Sequence, residues 1–150
     1  MPDLKARLRT DLTTAMKARD ELRTATLRMV LSAVSAEEVA GKEARELSDD
    51  EVQAVLRREA KKRREAAEAF AGAGRAEQAE RERAEGEVVA GYLPAQLTDA
   101  DLTALVAEAV TRTGATGMKE MGKVMGSVTG QVAGRADGGR VAAEVRRQLG

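Results

Sequence analysis

Two aromatic side chains, Phe70 and Tyr92, are all that this chain of 150 residues contains. Aromatics contribute the largest buried area per residue to an ordinary core, so the interior has to be built from smaller pieces. Apolar residues make up 43% of the chain, enough for a globular fold, and Ala, Val, Leu and Met supply nearly all of them. Short aliphatic side chains suit the narrow space between closely packed helices. The cores are therefore expected to be thin, aliphatic and helix-on-helix.

The periodicity agrees with that expectation. Leu4, Leu8, Leu12, Ala15 and Met16 recur at helical spacing between charges, which predicts an amphipathic helix over about residues 3–18. Asp20 suits the N-cap of a second segment, Leu22 to Ala40, apolar on two faces and so expected to be packed between neighbours until Gly41 ends it. Ser48 and Glu51 form a capping box. The helix they open passes through Val52, Leu56, Ala60 and Phe70 to the breakers Gly72 and Gly74, about 24 residues or roughly 36 Å at 1.5 Å per residue. The charged segment from Arg75 to about Gly91, sparse in apolar positions, reads as the other arm of an antiparallel hairpin.

Pro94 forbids helical geometry at Leu93 and removes a backbone donor, so the junction between two domains, 1–93 and 94–150, is placed there. After it, Thr98 caps a helix carrying Leu102, Leu105, Val106, Ala109 and Val110, and Gly114 closes it. Met118, Met121, Met125, Val128 and Val132 form a narrow stripe on a second helix, expected to face the core. A turn at Asp137-Gly138-Gly139 leads to a third helix with Val141, Val145 and Leu149 inward. No segment alternates apolar and polar residues with β-branched enrichment. The expected fold is all-α, an N-terminal helical domain with a long antiparallel helical hairpin plus a small C-terminal three-helix domain.

What the chain lacks narrows its chemistry. Without Cys there is no disulfide framework, thiolate metal site or thiol nucleophile, and without His the usual zinc ligand and near-neutral general base are missing. The four serines, Ser32, Ser35, Ser48 and Ser127, have no His partner, and no nucleophile elbow, phosphate loop or dinucleotide fingerprint occurs. No catalytic residue, cofactor or metal is expected. The N-terminus lacks the apolar stretch of a signal peptide and no window approaches a membrane span, so a cytoplasmic location and no membrane partner are expected. Charge balances at 25 basic against 25 acidic residues, and it balances within each domain, so attraction to a polyanion has to come from a local patch.

Two constellations offer one. Residues 57–64 hold six basic side chains in eight positions, with Arg57, Lys61 and Arg64 on one helix face and Arg58 and Lys62 on the next. They read either as a phosphate-binding ridge or as a solvated face tied by i,i+4 pairs such as Glu59 with Arg63, and the acidic residues that follow favour the solvated face. Gly122, Gly126 and Gly130 fall every fourth residue on the methionine-bearing helix, where each costs about 1 kcal/mol relative to Ala. Such a bare face admits a close neighbour, either another part of the domain or a nucleic-acid backbone, and the packing needs of a domain this small favour the former. Lys119 and Lys123 flank the stripe, with Arg135 and Arg140 across the Gly-rich turn.

The segments ATLRMVLSAV (25–34), REAKKRREAAEAFAGAGR (58–75), VAGYLPAQL (89–97) and KEMGKVMGSVTGQVAGRADGGRV (119–141) closely resemble the GatB/YqeY family, in its YqeY-like branch. The resemblance implies an N-terminal helical domain and a three-helix domain similar to the tail of the B subunit of the tRNA-dependent amidotransferase, which helps to hold tRNA. It implies Lys119, Lys123, Arg135 and Arg140 as candidates for an equivalent contact. The catalytic cradle of that subunit has no counterpart in this sequence. The family label of carbon–nitrogen ligase activity with glutamine as donor thus fits the relative better than this chain. The partners it implies are tRNA, or amidotransferase or synthetase subunits in a complex, with a purely structural helical adaptor as a further alternative.

Overall fold

The computed structural model describes residues 3–150, and every regular element among them is a helix. Contacts divide the chain into two compact units, one up to Leu93 and one from Pro94 to Gly150.

The first unit holds α1 (Leu4–Lys17), α2 (Glu21–Glu38), α3 (Asp49–Gly72) and α4 (Ala76–Ala90). Local chemistry sets most of the helix starts. Asp3 accepts from the Ala6 N–H and Asp20 from the Arg23 N–H, while Ser48 and Glu51 complete their reciprocal capping box. Arg45 hydrogen-bonds Glu51 and, with the Ser48 N–H, holds its carboxyl down to about 2. Leu8, Leu27, Val30, Val34, Val52 and Leu56 make an aliphatic core, with Val89 and Tyr92 closing it.

Helix α2 departs from expectation at its end. It stops at Glu38, short of Ala40 and Gly41, because Glu38 is drawn into a hub. Its carboxylate accepts from Lys5 Nζ at 2.7 Å and from the Leu47 N–H at 3.3 Å, while its carbonyl accepts from the Arg45 N–H at 3.0 Å. The loop back to α3 closes on that hub and buries Leu47. The helix is packed between neighbours as expected, touching α1, α3 and α4. Thr26, Leu27, Val30 and Val34 are inside, the Thr26 hydroxyl satisfied by the Leu22 carbonyl at 2.8 Å, whereas Ser32, Ser35 and Ala36 are exposed. That narrow outer face of Ser and Ala loses little by meeting water.

Helices α3 and α4 pack along each other around a buried charge cluster. The Arg63 guanidinium meets Glu59 at 3.0 Å, Glu82 at 3.6 Å and Glu85 at 3.9 Å, all with side chains less than one-fifth exposed, and it touches Met29 of α2. Gly86 faces it closely, since a Cβ there would stand 3.4 Å from the Arg63 Cβ. The cluster extends outward through Arg81, which bridges Glu85 and Glu21 of α2.

Tyr92, just beyond α4, ties that end of the unit together. Its hydroxyl donates to Asp11 of α1 and accepts from Arg23 of α2 at 3.1 Å. Burial, then the Asp11 carboxylate, pushes the phenol up to about 12, so it stays a neutral donor across the physiological range.

The second unit holds α5 (Asp99–Thr113), a 3₁₀ turn (Met118–Glu120), α6 (Met121–Val132) and α7 (Gly138–Leu149). Thr98 and Asp101 form a second capping box, and Gly114 closes α5 in the left-handed conformation, φ 69°. The core is again aliphatic, with Leu102, Val106 and Ala109 facing Val124, Val128 and Val141 and Val145 closing over them.

Candidate nucleic-acid interface

Helix α6 buries Val124, Val128 and Val132, spaced i, i+4, i+8, with Met121 and Met125 half-buried beside them. Met118 in the preceding turn is 45% exposed, so the methionine stripe expected in the core only flanks it. Val124 is fully buried among the core residues that include Leu102, Val106 and Ala109 of α5.

With the valines inward, the 100° step per residue turns Gly122, Gly126 and Gly130 outward. All three are exposed, and a Cβ added at any of them would meet nothing within 4 Å. This corrects the expectation that the glycines serve tight packing inside the domain. They leave a strip of α6 backbone bare to solvent, bordered by the exposed Lys123 and Thr129.

The four basic residues named from sequence divide into two pairs. Lys119 and Lys123 are exposed, and neither has a hydrogen bond or ion pair among the described residues. Arg135 and Arg140 are employed within the unit. Arg135 turns back onto the end of α6, donating from Nη2 to the Gln131 carbonyl at 2.7 Å and from Nε to the Val132 carbonyl at 3.2 Å. That satisfies carbonyls a helix end leaves open and sets positive charge at the negative end of its dipole. Arg140 donates to the Leu97 carbonyl and to Asp99 Oδ1, each at 3.0 Å, and the Leu97 N–H donates to the Arg135 carbonyl at 2.8 Å. These two arginines stitch the start of α5 to the α6–α7 turn.

Arg112, which sequence reasoning passed over, projects from α5 to the flank of α6 and donates to Ser127 Oγ at 2.7 Å. Its signal was only a single cation at a helix end. Glu144, held down to about 2 chiefly by Arg147, fixes Gln148 so that its amide reaches the Thr103 carbonyl.

The ridge on α3 is mixed. Arg58 pairs with Glu37 at 3.3 Å and Lys62 with Glu59 at 3.4 Å. Arg57, partly exposed, and Lys61, exposed, have no partner among the described residues, and Arg64 is exposed on the same outer face. The sixth member of the run, Arg63, belongs to the interior. Among the described residues no group of three or more Asp or Glu side chains is arranged to hold a metal ion, and no helix is long and apolar enough to cross a membrane.

No curated protein matches the chain. A family model, described as Yqey-like protein, matches residues 5–149.

Proposed function

Because the chain belongs to the Yqey-like protein family, we propose that it is a cytoplasmic accessory module related to the tRNA-dependent amidotransferase, and that it binds tRNA through the outer face of α6. The observation that carries this reading is the bare strip at Gly122, Gly126 and Gly130 with two unpaired lysines beside it. A phosphodiester backbone is the ligand such a strip suits. The missing side chains let phosphates approach the helix closely, and Lys119 and Lys123 lie at its N-terminal end, where the dipole also favours anions. Arg135 and Arg140 act in this reading by holding the surface in shape, with donors left over for a phosphate at its edge. In the N-terminal unit, the pair α3 and α4 serves as a hairpin arm, with Arg57, Lys61 and Arg64 as a weaker second contact.

With one Tyr and one Phe in the whole chain, stacking on bases contributes little. Recognition is of backbone and shape, and affinity falls steeply with salt. Anisotropy of labelled bulk tRNA, titrated at low and near-physiological salt, tests this. Saturable binding is expected, and Lys119→Ala with Lys123→Ala should weaken it and lower the salt slope by roughly one per lysine removed. Binding that ignores salt, or is unchanged in the double variant, would sink the proposal. Arg135 and Arg140 are better probed separately, because their removal also disturbs the fold.

A second reading is favoured by Met118, 45% exposed at the head of the same strip. A flexible thioether beside glycines also suits a partner helix, in which case the protein joins an amidotransferase or synthetase subunit and contributes to amide transfer from glutamine only in that complex. Binding of a purified subunit that is lost in Met118→Glu while tRNA binding is absent would select this reading.

A further inference from the structure

A surface cleft of about 430 Å³ opens in the N-terminal unit against Tyr92, with Arg7, Thr10 and Asp11 of α1 on one side and Asp49 and Gln53 of α3 on the other. Leu4 and the Tyr92 ring, both nearly buried, give it an apolar floor. Arg7 stands over that floor, its guanidinium carbon 4.9 Å from the ring centroid. The ring holds the cation in place without neutralising it, and the guanidinium has no hydrogen bond or ion pair among the described residues. The Gln53 amide and the Thr10 hydroxyl are likewise unpartnered there. Each carboxylate is half-used. Asp11 Oδ2 accepts from the Tyr92 hydroxyl and lies 3.8 Å from Arg23 Nη2, and Asp49 Oδ1 accepts from the Leu4 N–H at 3.1 Å, which leaves Asp11 Oδ1 and Asp49 Oδ2 open.

The charges decide what fits. A simple anion meets two carboxylates, and a simple cation meets Arg7. A ligand carrying both signs on a short frame answers both, and the volume lies at the small end of ligand sites. We propose that this cleft binds a small zwitterion of the α-amino-acid class, its carboxylate on Arg7, its ammonium on Asp11 and Asp49, and its side chain read by Gln53 and Thr10. The site is separate from α6 and does not depend on RNA binding.

Tyr92 is the only tyrosine, and the chain has no tryptophan, so tyrosine emission reports directly from the cleft wall. The experiment titrates the full chain with non-aromatic free α-amino acids, their N-acetyl and carboxamide derivatives, and triglycine, with calorimetry alongside. At least one free amino acid should give a saturable signal, with both blocked forms about tenfold weaker or more, the usual loss when a charge-assisted hydrogen bond is removed. Arg7→Ala should weaken binding by a similar factor at unchanged helicity. Gln53→Leu should reorder the preference among side chains while leaving the need for both charges intact. Three results would overturn the proposal: no saturable signal by either method at millimolar concentration, blocked derivatives that bind as well as free ones, or a response to triglycine alone.

Discussion

At the scale of single residues, the three outward glycines of α6 set stability against function. Nothing in the second unit needs them, since an added methyl meets no atom within 4 Å at any of the three. Replacing each by Ala should therefore stabilise the helix by about 0.5–1 kcal/mol, with the melting temperature rising roughly 4–8 °C for each kcal/mol gained. The triple variant Gly122→Ala, Gly126→Ala, Gly130→Ala is expected to melt higher by calorimetry and to bind tRNA several-fold more weakly, because three methyls hold the phosphates off the backbone. Higher stability with unchanged affinity would show that the glycines do not serve close approach. The sequence displays the spacing of these glycines but not the direction they face. That direction follows from which side of α6 is buried, the one carrying Val124, Val128 and Val132.

At the scale of helices, the starts were legible and the ends less so. Asp20, Ser48 and Thr98 act within three residues of themselves, and such chemistry reads directly from the string. The end of α2 depends on Lys5 and Leu47 reaching Glu38 from distant parts of the chain, which no local pattern reveals. Arg63 is the sharpest case. In sequence it is one of six cations in a charged run, yet α4 covers it from further along the chain, with Glu82 and Glu85 facing it. The site reading suffered the same way, since Lys119 and Lys123 look no different in sequence from Arg135 and Arg140. Only the fold separates free cations from employed ones. Arg63→Ala is expected to cost about 3–5 kcal/mol in urea unfolding, as Glu59 would remain buried beside two further carboxylates with its main partner gone. A loss below about 1 kcal/mol would mean that water screens the cluster as it does a surface pair.

At the scale of the whole molecule, the all-helical class and the family were both legible, the first from the near absence of aromatics with unbroken helical periodicity, the second from the segment 119–141. The proposed division at Pro94 has a direct test. Pro94, Ala95 and Gln96 are exposed outside any helix, so a broad-specificity protease should cut first between Leu93 and Thr98 and leave two helical fragments. First cleavage within α3 or α4 would argue against that division.

The clamp on Leu97 has a consequence of another kind. The opening residues of the second unit are fastened by Arg135 and Arg140, which lie downstream, so the piece carries the anchor for its own beginning. Residues 94–150 fused behind an unrelated chain are therefore expected to keep this clamp without redesign of the join, which a helicity measurement on such a fusion checks.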